Sequence, residues 1–464
     1  MKRNIRIKGA FPFLLLLLLP TLILAQSKRE TEKKLEALFS ELNEQTAGAA
    51  LRVTRGDEVL FSKGFGMADL EHATPVSDET IFEAGSVSKQ FTATSILLLV
   101  EAGKVNLDDS VQVYIPEFPV YDHTITLRHL LNHTSGLRDW GVVAGLGGWS
   151  RGTRTYTNKM ALDYILRQEG LNNIPGDEYL YSNSNYTVLT TIVERVSGQS
   201  LPEFTQEHIF NPLGMTHTSW RNNFKAVVPG RAIGYDLIKG NYYSNMPFEN
   251  TYGHAALLTT VKDLDIWNKS WKNSPLGSAE LLKLRTERGV LNNGDTITYA
   301  AGVMVDTYMG HPEVTHSGAT AGYRCWLAYY PKDDLSVVYL SNDTHLSTTG
   351  TGQDVAEIFF GKEPEELTDK QVQPTQPYQV SSVDLKEWVG TYYSKECGGT
   401  YWVKVEEGKL YVYDHRGRKR SLKPIAKNKF QSGSSTFYAF KSYGDRKQLF
   451  ISVPRARNVK FERL

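Results

Sequence analysis

Residues 86–104, "SVSKQFTATSILLLVEAGK", restrict the fold more than any other stretch. From Val87 to Val100 apolar and small side chains run nearly all round the helical period, and Lys89 is the only charge between Ser86 and Glu101. A helix with no polar face has to be covered on every side. Gly103 is placed to end it in the left-handed conformation. The 464 residues, 41% of them hydrophobic and 11% aromatic, are enough to build the layers such a helix needs.

Those layers can be read on either side of it. Residues 28–43 read as a helix. "AGAALRVTRGDEVLFSKGFGMADLE" alternates as a strand hairpin that turns at Arg55-Gly56-Asp57. The middle of the chain is mostly helical, over 158–169, 185–198 and 260–272, with a short helix in "TITLRHLLNHTSGL". Residues 138–156, rich in Gly and Trp and without periodicity, predict a long loop, and 222–254 an excursion. Strand patterns return over 298–342, and a helix near 352–360 closes the region. Strands at both ends with helices between them imply an α/β (α+β) fold. One antiparallel sheet is assembled from both ends and flanked by helices, and an inserted helical lobe leaves a cleft beside it. Residues 363–380 are charged, Gln- and Pro-rich and read as a linker. Short alternating runs over 381–464 predict a small β-barrel.

The buried helix also carries chemistry. Ser86 and Lys89 lie three apart, so on a helix both face the same way. A serine hydroxyl needs a base before it can attack. The N-terminal turn offers free backbone N–H groups for a developing oxyanion, and Gly85 lets a substrate approach. Ser86 alone reads equally well as a helix cap. Two further stretches bear on the choice: "YLYSNSNYTVL", with Tyr181 and Asn183 ahead of a helix, and "VTHSGATAGY", with His316, Ser317 and Gly318 on a strand.

Ser86-Val87-Ser88-Lys89, Tyr181-Ser182-Asn183 and His316-Ser317-Gly318 resemble, in order and spacing, the S-x-x-K, Y-x-N and K/H-x-G elements of a serine hydrolase family. That family includes class C β-lactamases, DD-carboxypeptidases, D-aminopeptidases and related esterases. The resemblance spans roughly residues 35–360 and extends to "LLNHTSGL", "FNPLGMTHT" and "LLTTVKDLDIW"; the terminal module with "VGTYYS" resembles the lipocalin-like appendages of some members. It implies a β-lactamase/transpeptidase-like main domain over 26–362 and a lipocalin-like barrel over 381–464. It implies that Ser86 attacks a carbonyl, that Lys89 and Tyr181 share the proton work with either as base, and that Asn183 holds substrate and Lys89. The N–H groups of Ser86 and Ala319 would form the oxyanion hole, with His316, Ser317 and Gly318 beside it. A phenolate at Tyr181 would need its pKa lowered by ~3 units, much of it supplied by Lys89. His316 stands where the lactamases and most carboxypeptidases have Lys, and a neutral imidazole holds carboxylates poorly. The expected activity is hydrolysis of D-amino-acid-containing peptides or of esters through an acyl-enzyme, with weak action on β-lactams. The alternatives are a true class C-like β-lactamase or DD-carboxypeptidase, and a non-catalytic binder of peptidoglycan or small ligands.

Other features bear on the setting. "GWSRG", Gly148–Gly152, matches a nucleophile-elbow pattern but lacks a strand before it. His129, His133 and His254 read as packing or loop residues, and Trp140 and Trp149 as rim or core. No cofactor and no metal site is expected, for want of ligand spacing. Cys325 and Cys397 fall in different regions and read as two free thiols. A net charge of +1 gives no footing for nucleic acid, and the expected partner is a small-molecule or peptide substrate. "MKRNIRIKGA" followed by "FPFLLLLLLPTLILA" reads as a secretory leader cut near Ala25, which predicts a secreted or periplasmic protein with no membrane span after cleavage.

Overall fold

The computed structural model of the protein describes residues 28–272, 275–361 and 385–464. The expected leader (1–25) and linker (363–380) lie outside the described residues. The hairpin that turns at Arg55-Gly56-Asp57 forms as β1 (Ala49–Arg55) and β2 (Glu58–Phe65). It joins β3 (Met304–Tyr308), β4 (His311–Thr320), β5 (Tyr323–Tyr330) and β6 (Leu335–Ser341) in the order β3-β4-β5-β6-β1-β2, antiparallel throughout. The two ends of the region meet where β1 pairs with β6, from Ala49↔Ser341 to Arg55↔Leu335. One face of the sheet packs against helix α1 (residues 28–38) and a helix near the region's end, through Leu35, Phe39, Trp326, Tyr339 and Val355.

The other face carries α2 (Lys89–Glu101), the helix without a polar side. Phe91, Ala93, Ile96, Leu97 and Leu99 are buried, and so are Gln90, Thr92, Thr94 and Ser95. Buried polar groups need partners. Gln90 accepts from the Trp267 indole at 2.7 Å, Thr92 donates to the Gly253 carbonyl at 2.9 Å, and Ser95 to Phe91 at 2.8 Å. The helical lobe supplies the cover: α3 (Leu127–Leu131), α4 (Trp140–Leu146), α5 (Asn158–Leu166), α6 (Asn183–Ser197) and α7 (Val261–Lys269), with α8 (Thr349–Phe360) on the opposite side of the sheet.

Helix α4 corrects the loop expected over 138–156. Its glycines hide the apolar period, but Asp139 caps it by accepting from the N–H groups of Gly141 and Val142. Ser150 of "GWSRG" is exposed and precedes a single turn of 3₁₀ helix, so it is no nucleophile elbow. The excursion holds a short hairpin, Tyr235–Ile238 with Asn241–Ser244.

The terminal module is a closed eight-stranded barrel, β7 (Gly390–Ser394), β8 (Gly399–Glu406), β9 (Lys409–Asp414), β10 (Lys419–Ala426), β11 (Lys429–Ser432), β12 (Thr436–Tyr443), β13 (Arg446–Val453) and β14 (Ala456–Arg463). β14 pairs back onto β7. Trp388, Tyr392, Tyr401, Phe430, Tyr438, Phe440 and Phe461 are buried in it, with Trp388 stacked on Phe440 at 5.2 Å. Closure removes the sheet edges that would otherwise invite pairing. The barrel rests on the lobe. Tyr401 donates to the Leu146 carbonyl at 3.2 Å, and Arg138 sits between both oxygens of Glu396 at 2.9 and 2.8 Å. Cys325 and Cys397 are free and buried. Among the described residues no helix is long and apolar enough to cross a membrane.

Candidate active site

Ser86 lies in a turn of 3₁₀ helix, Gly85–Ser88, that runs straight into α2. The cap positions of this turn and of α2 fall on Ala84 and Ser88, so the cap reading of Ser86 fails. The segment is pinned from both sides. Glu83, fully buried, pairs with Arg221 at 2.8 Å and Arg231 at 3.1 Å, and the Ser88 hydroxyl accepts from Leu257 N–H at 3.0 Å. Strand β4 lies directly against it. A methyl group on Gly318 would fall 2.0 Å from the Ala84 carbonyl oxygen. Gly85 has φ +54°, and a methyl there would meet the Ala319 nitrogen at 2.7 Å. Only glycines let these two backbones approach so closely. The approach brings the Ser86 and Ala319 main chains together.

Lys89, one turn along, is fully buried. Its Nζ lies 3.3 Å from Ser86 Oγ, 2.9 Å from Asn183 Oδ1 and 2.7 Å from the His254 carbonyl. An ammonium would donate to all three. A neutral amine has two N–H groups for the two shorter contacts, which leaves its lone pair for the serine proton. Burial pushes the amine well below the ordinary lysine range; Asp139 opposes this, while Arg151 and Arg455 add to it.

Tyr181 approaches from the entry to α6. Its ring lies 4.8 Å from Lys89 Nζ. Burial raises its pKa above the ordinary phenol range, only partly offset by the Ser86 side chain. Lys89, itself inclined to be neutral, cannot pull the phenol down, and Tyr181 stays protonated, so of the two candidate bases Lys89 is the one the surroundings favour. His133, with φ +57°, packs its ring 4.2 Å from Tyr181 and takes the Asn185 amide at 2.9 Å. It is a packing residue, as is His254, and burial keeps both well below the ordinary imidazole range. His129 closes a capping box at the start of α3. Trp140 is core, while Trp149 is exposed and stacks on His415 of the barrel.

Asn183 begins α6, and its two ends are read by different partners. Oδ1 accepts from Lys89, and Nδ2 donates to Asp139 Oδ2 at 2.9 Å, as does its N–H at 3.0 Å. An ionised carboxylate only accepts, so the amide can point only one way. His316, on β4, is buried, with Nε2 3.0 Å from the Tyr299 hydroxyl and Nδ1 2.6 Å from the Ser317 carbonyl. Burial and the nearby Lys89 hold it down to about 4, so the imidazole is neutral at physiological pH.

The structure thus gathers Ser86, Lys89, Tyr181, Asn183, His316, Ser317, Gly318 and Ala319 at one place. Beside Ala319 opens a cavity of about 370 Å³, lined by Arg151, Phe248, Glu249 and Thr320 among others. A larger cavity, of about 590 Å³, lies between Trp149, Tyr164 and Cys397, at the seam with the barrel. Sequence reasoning missed Asp139, Tyr299 and Arg455. Asp139 had a signal in its capping position before α4; the others had none.

Comparison with known proteins identifies the family. Residues 35–358 match the family model described as "Beta-lactamase". Penicillin-binding protein 4* of Bacillus subtilis is 29% identical over 436 residues, 87% of this chain and 92% of that protein. Among solved structures, the octameric penicillin-binding protein homologue from Pyrococcus abyssi superposes with a TM-score of 0.63 at 23% identity, covering 94% of this chain and 99% of that one. A D-stereospecific amidohydrolase from Streptomyces superposes at 0.61 and 21% identity, over 72% of this chain and 98% of that one. With the family model covering most of its length and the sheet, lobe and barrel in place, the chain belongs to the beta-lactamase family of serine hydrolases.

Proposed function

We propose that the protein is an exported serine hydrolase that acts, through an acyl-enzyme on Ser86, on amides or esters of D-amino-acid-containing substrates, and only weakly on β-lactams. The observation that carries this reading is the contact set of Lys89. With two N–H groups engaged by Asn183 and the His254 carbonyl, the lone pair of the neutral amine faces Ser86 Oγ. The serine proton passes to Lys89 as Oγ bonds to the substrate carbonyl carbon, and the oxyanion is met by the N–H groups of Ser86 and Ala319. The neutral Tyr181 phenol delivers a proton to the leaving nitrogen or oxygen as that bond breaks, and is reprotonated from Lys89. Water then attacks the acyl carbon while giving a proton to the same amine, and the amine returns that proton to Ser86 Oγ as the Oγ–acyl bond breaks. The cavity beside Ala319 is placed for part of the substrate. The neutral His316 supports weak binding of a β-lactam carboxylate, and the Streptomyces amidohydrolase supports the D-amino-acid class. The basic and apolar N-terminal residues support export, which N-terminal sequencing of the secreted chain tests at Gln26.

The deciding experiment incubates the full chain with a fluorophosphonate, locates the adduct by mass spectrometry, and assays D-aminoacyl anilides, D-Ala-D-Ala peptides, p-nitrophenyl esters and a chromogenic cephalosporin. An adduct on Ser86, with anilide or ester turnover well above cephalosporin turnover, is expected. An unmodified Ser86 would overturn the hydrolase reading in favour of a ligand-binding protein. Cephalosporin as the best substrate would make the protein a β-lactamase.

A further inference from the structure

The barrel holds two consecutive residues of the lobe, and the second of them leads to the catalytic amine. Arg138 and Glu396 form the buried pair described above, and the Arg138 Nε also donates to the Arg457 carbonyl at 2.8 Å. Asp139 is gripped by the turn between β13 and β14. Its N–H donates to the Arg455 carbonyl at 2.9 Å, and its Oδ2 lies 3.3 Å from Arg455 Nη1. Arg455 adopts φ +66°, a left-handed conformation that is unfavourable for a residue with a Cβ. It is held there in the two-residue turn Pro454–Arg455, with main chain and guanidinium both on Asp139. From Asp139 the contacts run through the Asn183 amide to Lys89 Nζ, each 2.9 Å long. Three contacts therefore join a barrel residue to the amine beside Ser86.

We propose that Arg455 is a positioning residue of this active site: it screens the Asp139 charge from Lys89 and locks the Asn183 amide that orients the amine. The inference rests on Lys89 being the base for Ser86. Asp139 is the carboxylate whose field reaches Lys89 and favours its proton; Arg151 and Arg455 oppose it. The other titratable groups facing the amine are Tyr181 and Tyr186, whose rings lie under it, and His133, His254 and His316, all held neutral by burial. None of these can replace a lost cation. Without Arg455, only Arg151 still opposes Asp139 at Lys89, and the amine holds its proton to higher pH.

The test uses the full chain with ¹³Cε-labelled lysine. The Lys89 signal, assigned by its loss in Lys89→Arg, is titrated beside the pH profile of fluorophosphonate labelling at Ser86. Arg455→Ala is expected to move both midpoints up by about half to one pH unit, after allowance for the partial exposure of the guanidinium, and to slow labelling about three- to tenfold below the midpoint. Arg455→Lys restores most of the shift. Arg457→Ala removes the ion pair that the neighbouring residue makes with Glu178 at 2.7 Å, and is expected to move neither midpoint. Should alanine unfold the chain, Arg455→Gln is the neutral variant to titrate. A midpoint unmoved in the neutral variant, or moved equally by Arg457→Ala, overturns the proposal. If the wild type resists the fluorophosphonate while the Lys89 titration still follows Arg455, the linkage stands and the hydrolase reading falls instead.

Discussion

Glu396→Gln should destabilise the protein through a single lost charge. Arg138 and Glu396 are 4% and 1% exposed, so neither meets enough water to be solvated alone. Burial pushes the Glu396 carboxyl up, and Arg138 pulls it back. Removing one partner of such a pair typically costs about 3–5 kcal/mol, because the other is left as an uncompensated buried ion. The lower end applies here, since the guanidinium keeps the Arg457 and Asn458 carbonyls at 2.8 and 3.2 Å. At ~2.1 cal/mol/K of unfolding entropy per residue, ~3 kcal/mol lowers the Tm of a chain of about 460 residues by about 3 °C if it melts as one unit. If the barrel of about 80 residues melts by itself, its own transition falls by about 18 °C. Scanning calorimetry separates the two. The double variant Arg138→Met with Glu396→Leu should recover much of the loss, because no stranded charge remains. A Glu396→Gln chain melting within about 1 °C of wild type, with the double variant no better, would refute the idea that the seam is held by that charge pair.

Other expectations concern the site. Tyr181→Phe should slow Ser86 acylation about 10²-fold while leaving the acidic limb of its pH profile in place, because the limb belongs to Lys89, which must lose its proton, and rates rise with pH through its lowered pKa. Stopped-flow labelling across pH checks this. His316→Lys should speed acylation by penicillins at least about tenfold, whereas acidifying the wild type from pH 8 to 5 should give no such gain through this residue, since its imidazole protonates only near 4. Gly318→Ala should cut acylation about 10²-fold or more, because its methyl would fall 2.0 Å from the Ala84 oxygen and displace strand β4 from Ser86; burst kinetics with a p-nitrophenyl ester read the loss.

Much of this was legible in the amino-acid order. The all-apolar period of α2 announced a buried helix, and alternation at both ends announced one sheet assembled from both; that β1 closes it against β6 is visible only in the fold. The S-x-x-K, Y-x-N and H-x-G spacings named residues that the fold brings together. What escaped was of two kinds. Helix α4 hid because Gly141, Gly145 and Gly147 break the apolar period, and only the Asp139 cap marks its start. The seam hid because its partners are far apart in sequence: Arg138 and Glu396 are separated by 258 positions, and nothing local to either residue points to the other. The choice of base between Lys89 and Tyr181 stayed open for a third reason. A pattern of residue types carries no measure of burial, and burial is what decides which of the two groups gives up its proton.

The pairing of β1 with β6 has a consequence for synthesis. The first strand leaves the ribosome with its hydrogen-bonding edge empty, and its partner follows roughly 280 residues later, a wait of ~15–60 s at ordinary elongation speeds. The nucleophile is made early but lies among unfinished neighbours for that whole interval.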